Sequence, residues 1–188
     1  MQRCPWANTS PAMQAYHDHE WGQPVHGQQK LFELLSLETY QAGLSWQTVL
    51  NKRGAFNAVF YHYNVQRVAQ MTAADVDRLL QDERIIRHRQ KLAATINNAR
   101  VLANWSEPVS FSTWLWAFVD DQPIRHPWQT AADVPASTPL AQTLARELKC
   151  HGFKFVGPTT VYSFLQAAGL VNDHLASCDW APENRGRA

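Results

Sequence analysis

Leu31-Phe32-Glu33-Leu34-Leu35-Ser36-Leu37-Glu38-Thr39-Tyr40-Gln41-Ala42-Gly43-Leu44-Ser45-Trp46 is the stretch whose pattern decides the fold. From Gln28 onward, Leu31, Leu34, Leu35, Tyr40 and Ala42 recur at helical spacing, and the pattern stops at Gly43. A strand would alternate with period two, and no segment of the chain sustains that alternation. A second run opens at Ser45 with Val49 and Leu50, is expected to break at Gly54, and resumes through Phe56, Val59 and Phe60. Glu38 is out of keeping with its neighbours. An ionised carboxylate among leucines is costly unless a donor or a ligand satisfies it.

Working outward, Ser10-Pro11 reads as the N-cap and first position of a helix that passes Tyr16 and His17 and stops near Gly22. Thr72 followed by Asp75 predicts a capping box, with Val76, Leu79 and Leu80 on one face of the helix it opens. Arg87 to Trp105 predicts a longer helix and Phe111 to Val119 a shorter one. Ser137-Thr138-Pro139 caps a helix running to Cys150, and Gly157-Pro158 opens another that reaches Gly169. Residues 120–136, with Pro123, Pro127 and Pro135, form a long irregular connection, and 179–188 reads as a flexible tail. The fold class is all-α. A single domain over 1–178 is expected, with a helical lobe and a terminal lobe built from 1–20 and 150–178.

Composition narrows the function. A chain of 188 residues buries roughly 70% of its unfolded surface and needs no staples. A hydrophobic fraction of 45% with 18% charged residues excludes a disordered chain. The formal charge of +1 excludes a globally basic nucleic-acid binder, so any such affinity needs a local patch. Three cysteines make no secreted disulfide framework. Met1-Gln2-Arg3-Cys4-Pro5-Trp6 has no apolar leader, and no apolar run approaches ~18 residues. A soluble, cytoplasmic protein without a membrane partner is expected.

Two constellations carry chemistry. Tyr16, Trp21 and Trp46, with Trp6 just before them, accompany Glu38. Aromatic faces around one carboxylate suit a flat cationic ring, at ~0.5–2 kcal/mol per stacking or cation–π contact. The same aromatics also read as core, with Glu38 on a helix surface. At the chain ends, Cys4 and His17 with His174 and Cys178 complete a tetrahedral Cys2His2 zinc set. His174 and Cys178 are expected on one face of a helix. Buried thiols and surface histidines are the alternative. Cys150 reads as a small apolar residue at a helix end.

Several segments add a further signal. Arg3-Cys4 with Trp6, Ala15-Tyr16-His17-Asp18 with Glu20-Trp21-Gly22, Lys30-Leu31-Phe32-Glu33, Gln41 to Trp46, Ile85-Ile86-Arg87-His88-Arg89, Gly152 to Gly157 and Gly169 to His174 occur in this order. Together they resemble the 3-methyladenine DNA glycosylase I family of the helix-hairpin-helix superfamily. The resemblance implies a helix-hairpin-helix glycosylase fold whose ends are tied by one structural Zn2+. It implies base-excision repair: monofunctional hydrolysis of the N-glycosidic bond of 3-methyladenine in alkylated double-stranded DNA. No nucleotide cofactor is implied, and a monomer is expected.

Residue by residue, the resemblance makes Cys4, His17, His174 and Cys178 the zinc ligands. Glu38 becomes the carboxylate that hydrogen-bonds the flipped base, Tyr16 and Trp46 its walls, and Trp21 and Trp6 further lining. Leu44, after Gly43, becomes the plug that fills the gap left in the duplex. The hairpin is expected over Leu79 to Lys91, with Arg84, Arg87, Arg89 and Lys91 facing phosphates. Two departures stand out: Glu83-Arg84 occupies a turn where the family usually carries glycine, and Tyr40 replaces a common Gln. A cationic adduct leaves as a neutral base and needs no strong general acid. Consistent with that, no Asp lies between Asp82 and Asp120 to supply the catalytic aspartate that many superfamily members carry beyond the hairpin. A silent lesion-binding relative and a protein-binding helical domain are the other readings open at this point.

Overall fold

The computed structural model describes residues 1–184. The chain is mostly helical: α1 (Pro11–His19), α2 (Gln28–Gln41), α3 (Trp46–Val59), α4 (Val65–Ala69), α5 (Ala73–Leu79), α6 (Arg89–Ala103), α7 (Phe111–Trp116), α8 (Pro139–Cys150) and α9 (Pro158–Ala167). Short 3-10 turns sit at Pro5–Thr9, Tyr61–Tyr63, Ala117–Val119 and Ala131–Asp133. Two two-residue strands, β1 (Ile124–Arg125) and β2 (Val171–Asn172), pair in parallel, with Ile124 opposite Val171.

Helix α2 is the axis. Every residue from Leu31 to Tyr40 is buried, the signature of a helix surrounded by others rather than lying on a surface. It packs against α3, α6, α7 and α9. The expected start signals operate: Ser10 caps α1, and Thr72 and Asp75 form the capping box of α5. The break expected at Gly54 does not occur, and α3 runs unbroken to Val59. Interior glycine costs a helix about 1 kcal/mol, which the burial of Val49 and Phe56 on the same helix offsets.

Two clusters of buried apolar side chains form. The main one gathers α2, α3, α6, α8 and α9; a satellite surrounds Cys4, Leu175 and Cys178 with Trp6, Trp21, Trp128, Val134 and Trp180. Val161, Phe164 and Leu165 of α9 belong to the main core, so the terminal cluster takes less of 150–178 than expected.

Residues 179–184 are not the frayed segment expected. The Asp179 backbone N–H donates to Gln2 O at 2.9 Å, Ala181 is fully buried, and Glu183 pairs with Arg125 at 2.6 Å. The rest of the expected tail, 185–188, lies outside the described residues. Among the described residues, no helix is long and apolar enough to cross a membrane.

Candidate active site

Three helices each deliver one side chain to a common point. Ser10 Oγ accepts from Met13 N–H and starts α1, which carries Tyr16. Glu38 lies in the last turn of α2. Ser45 Oγ accepts from Thr48 N–H at 3.2 Å and starts α3 at Trp46. Trp6 arrives on the turn Pro5–Thr9 and Trp21 just after α1. All five line one cavity of about 370 Å³. Trp6 meets Trp21 edge-on at 5.0 Å between ring centroids, and Tyr16 meets Trp46 at 5.1 Å. The sequence thus assembles the expected pocket, and Glu38 does not face bulk solvent.

Polar atoms in this cavity lack partners. Glu38 Oε2, the Tyr16 hydroxyl and Trp46 Nε1 are all buried without a hydrogen bond inside the protein. Buried polar groups are nearly always paired, so three orphans around one hole mark a place for a ligand. Burial pushes the Glu38 carboxyl up to about 8. Burial raises the Tyr16 hydroxyl well above its usual value too, with the Glu38 charge a lesser cause.

Gly43 and Leu44 sit at the rim. Gly43 adopts φ +83, which lets the chain turn directly after α2. Leu44 follows, 43% exposed, between the lining residues Gln41 and Ser45.

Behind the pocket, Cys4 Sγ, a ring nitrogen of His17 and Cys178 Sγ lie within 4.8 Å of one another, all buried. The His174 ring packs 4.8 Å from that of His17. Asp18 Oδ1 stands 2.8 Å from His17 Nδ1, and Asn172 Oδ1 stands 3.0 Å from His174 Nδ1. The His17 ring is thereby oriented with Nε2 toward the thiols, 3.5 Å from Cys178 Sγ, while His174, the fourth residue expected, lies outside that group of three. The Cys4 thiol hydrogen-bonds Cys178, which raises Cys4 and lowers Cys178. His174 and Cys178 are not on a helix as expected. They lie in irregular chain after β2, on either side of a turn at 176–177.

Residues 6–181 match the family model described as methyladenine glycosylase. The chain belongs to that family. DNA-3-methyladenine glycosylase 1 of Escherichia coli (strain K12) is 47% identical, over 98% of this chain and 100% of the relative. A crystal structure of 3-methyladenine DNA glycosylase I superposes with a TM-score of 0.92 at 48% identity, covering 96% of this chain and 100% of the other. The structure of 3-methyladenine DNA glycosylase I from Staphylococcus aureus, which addresses 3-methyladenine recognition, gives 0.91 at 43%, covering 97% of each chain. Members of the methyladenine glycosylase family are DNA-repair hydrolases of N-glycosyl bonds.

Of the four cations expected to meet DNA, three are exposed in surface ion pairs and one is buried. Arg84 is bound to Asp82 at 2.7 Å and holds that carboxyl down to about 2. Arg87 pairs with Glu83 at 3.6 Å and Arg89 with Asp77 at 2.6 Å. Lys91 is buried, and its Nζ donates to Ala42 O at 2.8 Å and Tyr40 O at 3.3 Å. It closes the C-terminus of α2, where free carbonyls and the helix dipole favour a cation. Burial lowers its ammonium. Lys91 is therefore a strut under Gly43–Leu44 and not a phosphate contact.

Sequence reasoning missed seven lining residues, Thr9, Met13, Gln41, Ser45, Gln47, Ser163 and Gln166. Gln41 lies within the quoted stretch and Gln47 directly after it, within reach of a periodicity argument. Ser163 and Gln166 come from α9, and only its packing on α2 brings them in. Asp173 was also missed. Its buried carboxylate accepts from Tyr162 Oη at 2.5 Å and Gln166 Nε2 at 2.6 Å, and meets His126 Nδ1 at 2.8 Å and Trp128 Nε1 at 2.9 Å.

Proposed function

We propose that the cavity receives 3-methyladenine turned out of duplex DNA, and that the chain hydrolyses its N-glycosyl bond and stops at the abasic site. The observation that carries this is the buried, unpartnered Glu38 carboxyl facing an aromatic-walled hole. Extrusion costs a few kcal/mol, and Leu44 enters the gap left in the stack. Tyr16 and Trp46 flank the ring; Glu38 accepts from its N–H edge and offsets its charge. The bonding electrons between sugar and base pass to the base, cancelling its positive charge. Water adds to the oxocarbenium-like sugar and loses a proton to solvent. A cationic base beside it holds Glu38, the only carboxyl among the described lining residues, in its ionised form, and no lysine lines the cavity, so the bound complex has neither a strong general acid nor an amine nucleophile at hand. That supports hydrolysis without strand cleavage.

For DNA contact, the turn between α8 and α9 is a better reading than 79–91. At 79–91 the Asp82 carboxylate already accepts the Arg84 backbone N–H at 3.0 Å, where a phosphate would have to sit. At 151–157, Gly152 and Phe155 have φ +94 and +58, and α9 begins at Gly157 without a side-chain cap. Lys154 is exposed there and in no ion pair among the described residues. Asp173 follows this hairpin in sequence but does not line the base cavity, and four neighbours already occupy it. A general-base role finds no support.

Cys4, His17, His174 and Cys178 would hold one structural zinc, which supplies no chemistry to the reaction and ties the ends together. Buried thiols at Cys4 and Cys178 suit a reducing compartment such as the cytoplasm. A monomer is the simplest working unit, since one chain builds the whole cavity. Base chromatography after incubation with methylated DNA tests the activity: released 3-methyladenine is expected, and release of 7-methylguanine instead would overturn the reading. Metal analysis tests the clasp. One zinc per chain is expected, falling well below one in Cys178→Ser, with a lower Tm.

A further inference from the structure

Beneath the cavity lies an ionic cluster that the proposed mechanism does not use. Arg53, on α3, donates Nη1 and Nη2 to the two oxygens of Glu20 at 2.9 and 2.8 Å. Its Nε donates to Glu33 Oε1 at 2.6 Å. Lys30 closes the arrangement, at 3.5 Å from Glu20 and 3.1 Å from Glu33. The Arg53 and Glu33 side chains are only 15% and 11% exposed, so this is not a solvated surface pair whose worth would be near zero.

Each partner sits on a different helix that carries a cavity residue. Glu20 is the C-cap of α1, and its backbone N–H donates to Tyr16 O at 2.9 Å. Glu33 precedes Glu38 on α2 by little more than one turn, and Arg53 follows Trp46 on α3 by about two turns. We infer that Arg53 is a positioning residue, whose planar fork fastens α1, α2 and α3 together and thereby sets the spacing of Tyr16, Glu38 and Trp46 around the base. It does not line the cavity and takes no part in bond breaking. A lysine would keep the charge but could not engage both carboxylates in this fixed geometry. The inference rests on the cavity being the base pocket.

The test compares wild type, Arg53→Lys and the charge-balanced triple variant Glu20→Gln/Glu33→Gln/Arg53→Met. Quenching of tryptophan fluorescence by free 3-methyladenine in wild type checks the pocket itself; its absence removes the pocket reading and this inference together. Given wild-type quenching, Arg53→Lys is expected to bind the free base about tenfold more weakly and to lose kcat by a similar factor. Its affinity for abasic-site DNA, where no base enters the pocket, stays within about twofold of wild type. The triple variant remains as weak as Arg53→Lys if geometry is the cause. Wild-type base affinity in Arg53→Lys overturns the inference. So does recovery in the triple variant, which would reduce Arg53 to charge balance, and so does a parallel loss of base and abasic-DNA binding, which marks a general structural role. If the triple variant does not fold, Arg53→Lys decides alone.

Discussion

Two buried carboxyls stand on either side of Gln166 and live opposite lives. Asp173 is surrounded by Tyr162, Gln166, His126 and Trp128, all within 2.9 Å. Glu38, buried to the same degree, has an oxygen with no partner at all. Desolvation acts on both, but only Asp173 is compensated by donors. Its no-vacancy network is architecture, joining the irregular segment around Trp128 to α9. The empty shell of Glu38 is an instability kept in the folded protein, and such groups persist where a substrate completes them. Burial alone would not have told the two apart; the count of donors does.

Removing each carboxyl should therefore have opposite consequences. The largest effect expected is on catalysis: Glu38→Gln should lower kcat/KM for 3-methyladenine excision by roughly 10²–10³-fold, the size seen when one preorganised electrostatic contact is lost. Affinity for abasic-site DNA should hardly change, and equal loss of both would place Glu38 with Asp173 as structural. Next, Asp173→Ala should destabilise by about 3–5 kcal/mol, because it strands several buried donors at once. Urea unfolding at pH 7 measures this, and a loss below about 1 kcal/mol would break the contrast.

Glu38→Gln should act on stability with the opposite sign, and its pH dependence sharpens the comparison. The folded pKa of about 8 lies above the unfolded value near ~4.3. Stability contributed by the protonated carboxyl is complete below the unfolded pKa and is lost as pH rises toward the folded one. Relative to Glu38→Gln, ligand-free wild type should thus weaken between about pH 4.5 and 8, by about 4 kcal/mol. A wild-type curve that tracks the variant across this range would show the carboxyl to be satisfied. The smallest effect concerns DNA. Lys154→Ala should weaken abasic-DNA binding by a few-fold and reduce the salt slope by about one, with Arg84→Ala near neutral. The reverse ranking would restore 79–91 as the grip.

What could be read from the chain alone follows the range of the forces involved. Local signals held: Ser10-Pro11, the Thr72–Asp75 box and the Gly43 stop all act within one helical turn. The aromatic pocket was legible because its residues crowd into the first quarter of the chain, near an acid that does not belong among leucines. Long-range placements were not. The i, i+4 spacing of His174 and Cys178 suggested a helix, but the segment that follows the paired residues Val171–Asn172 is irregular, with a turn at 176–177. Lys91 read as a phosphate contact because its neighbours in sequence are arginines; in space its neighbours are the carbonyls of Tyr40 and Ala42. Donor counts such as those at Asp173 arise only when segments from 126 to 173 meet.

The meeting of Gln2 with Asp179 has a bearing on how the protein comes into being. During synthesis, Trp6 and Trp21 leave the ribosome long before Leu175 and Cys178, the residues that later cover their far side. Such wide separation in sequence makes these contacts late and slow to form. A nascent chain can condense its helical body early, yet one flank of its damage-recognising chamber stays open until Leu175 and Cys178 have emerged. Competence for repair then waits on residues far down the chain from the pocket they back.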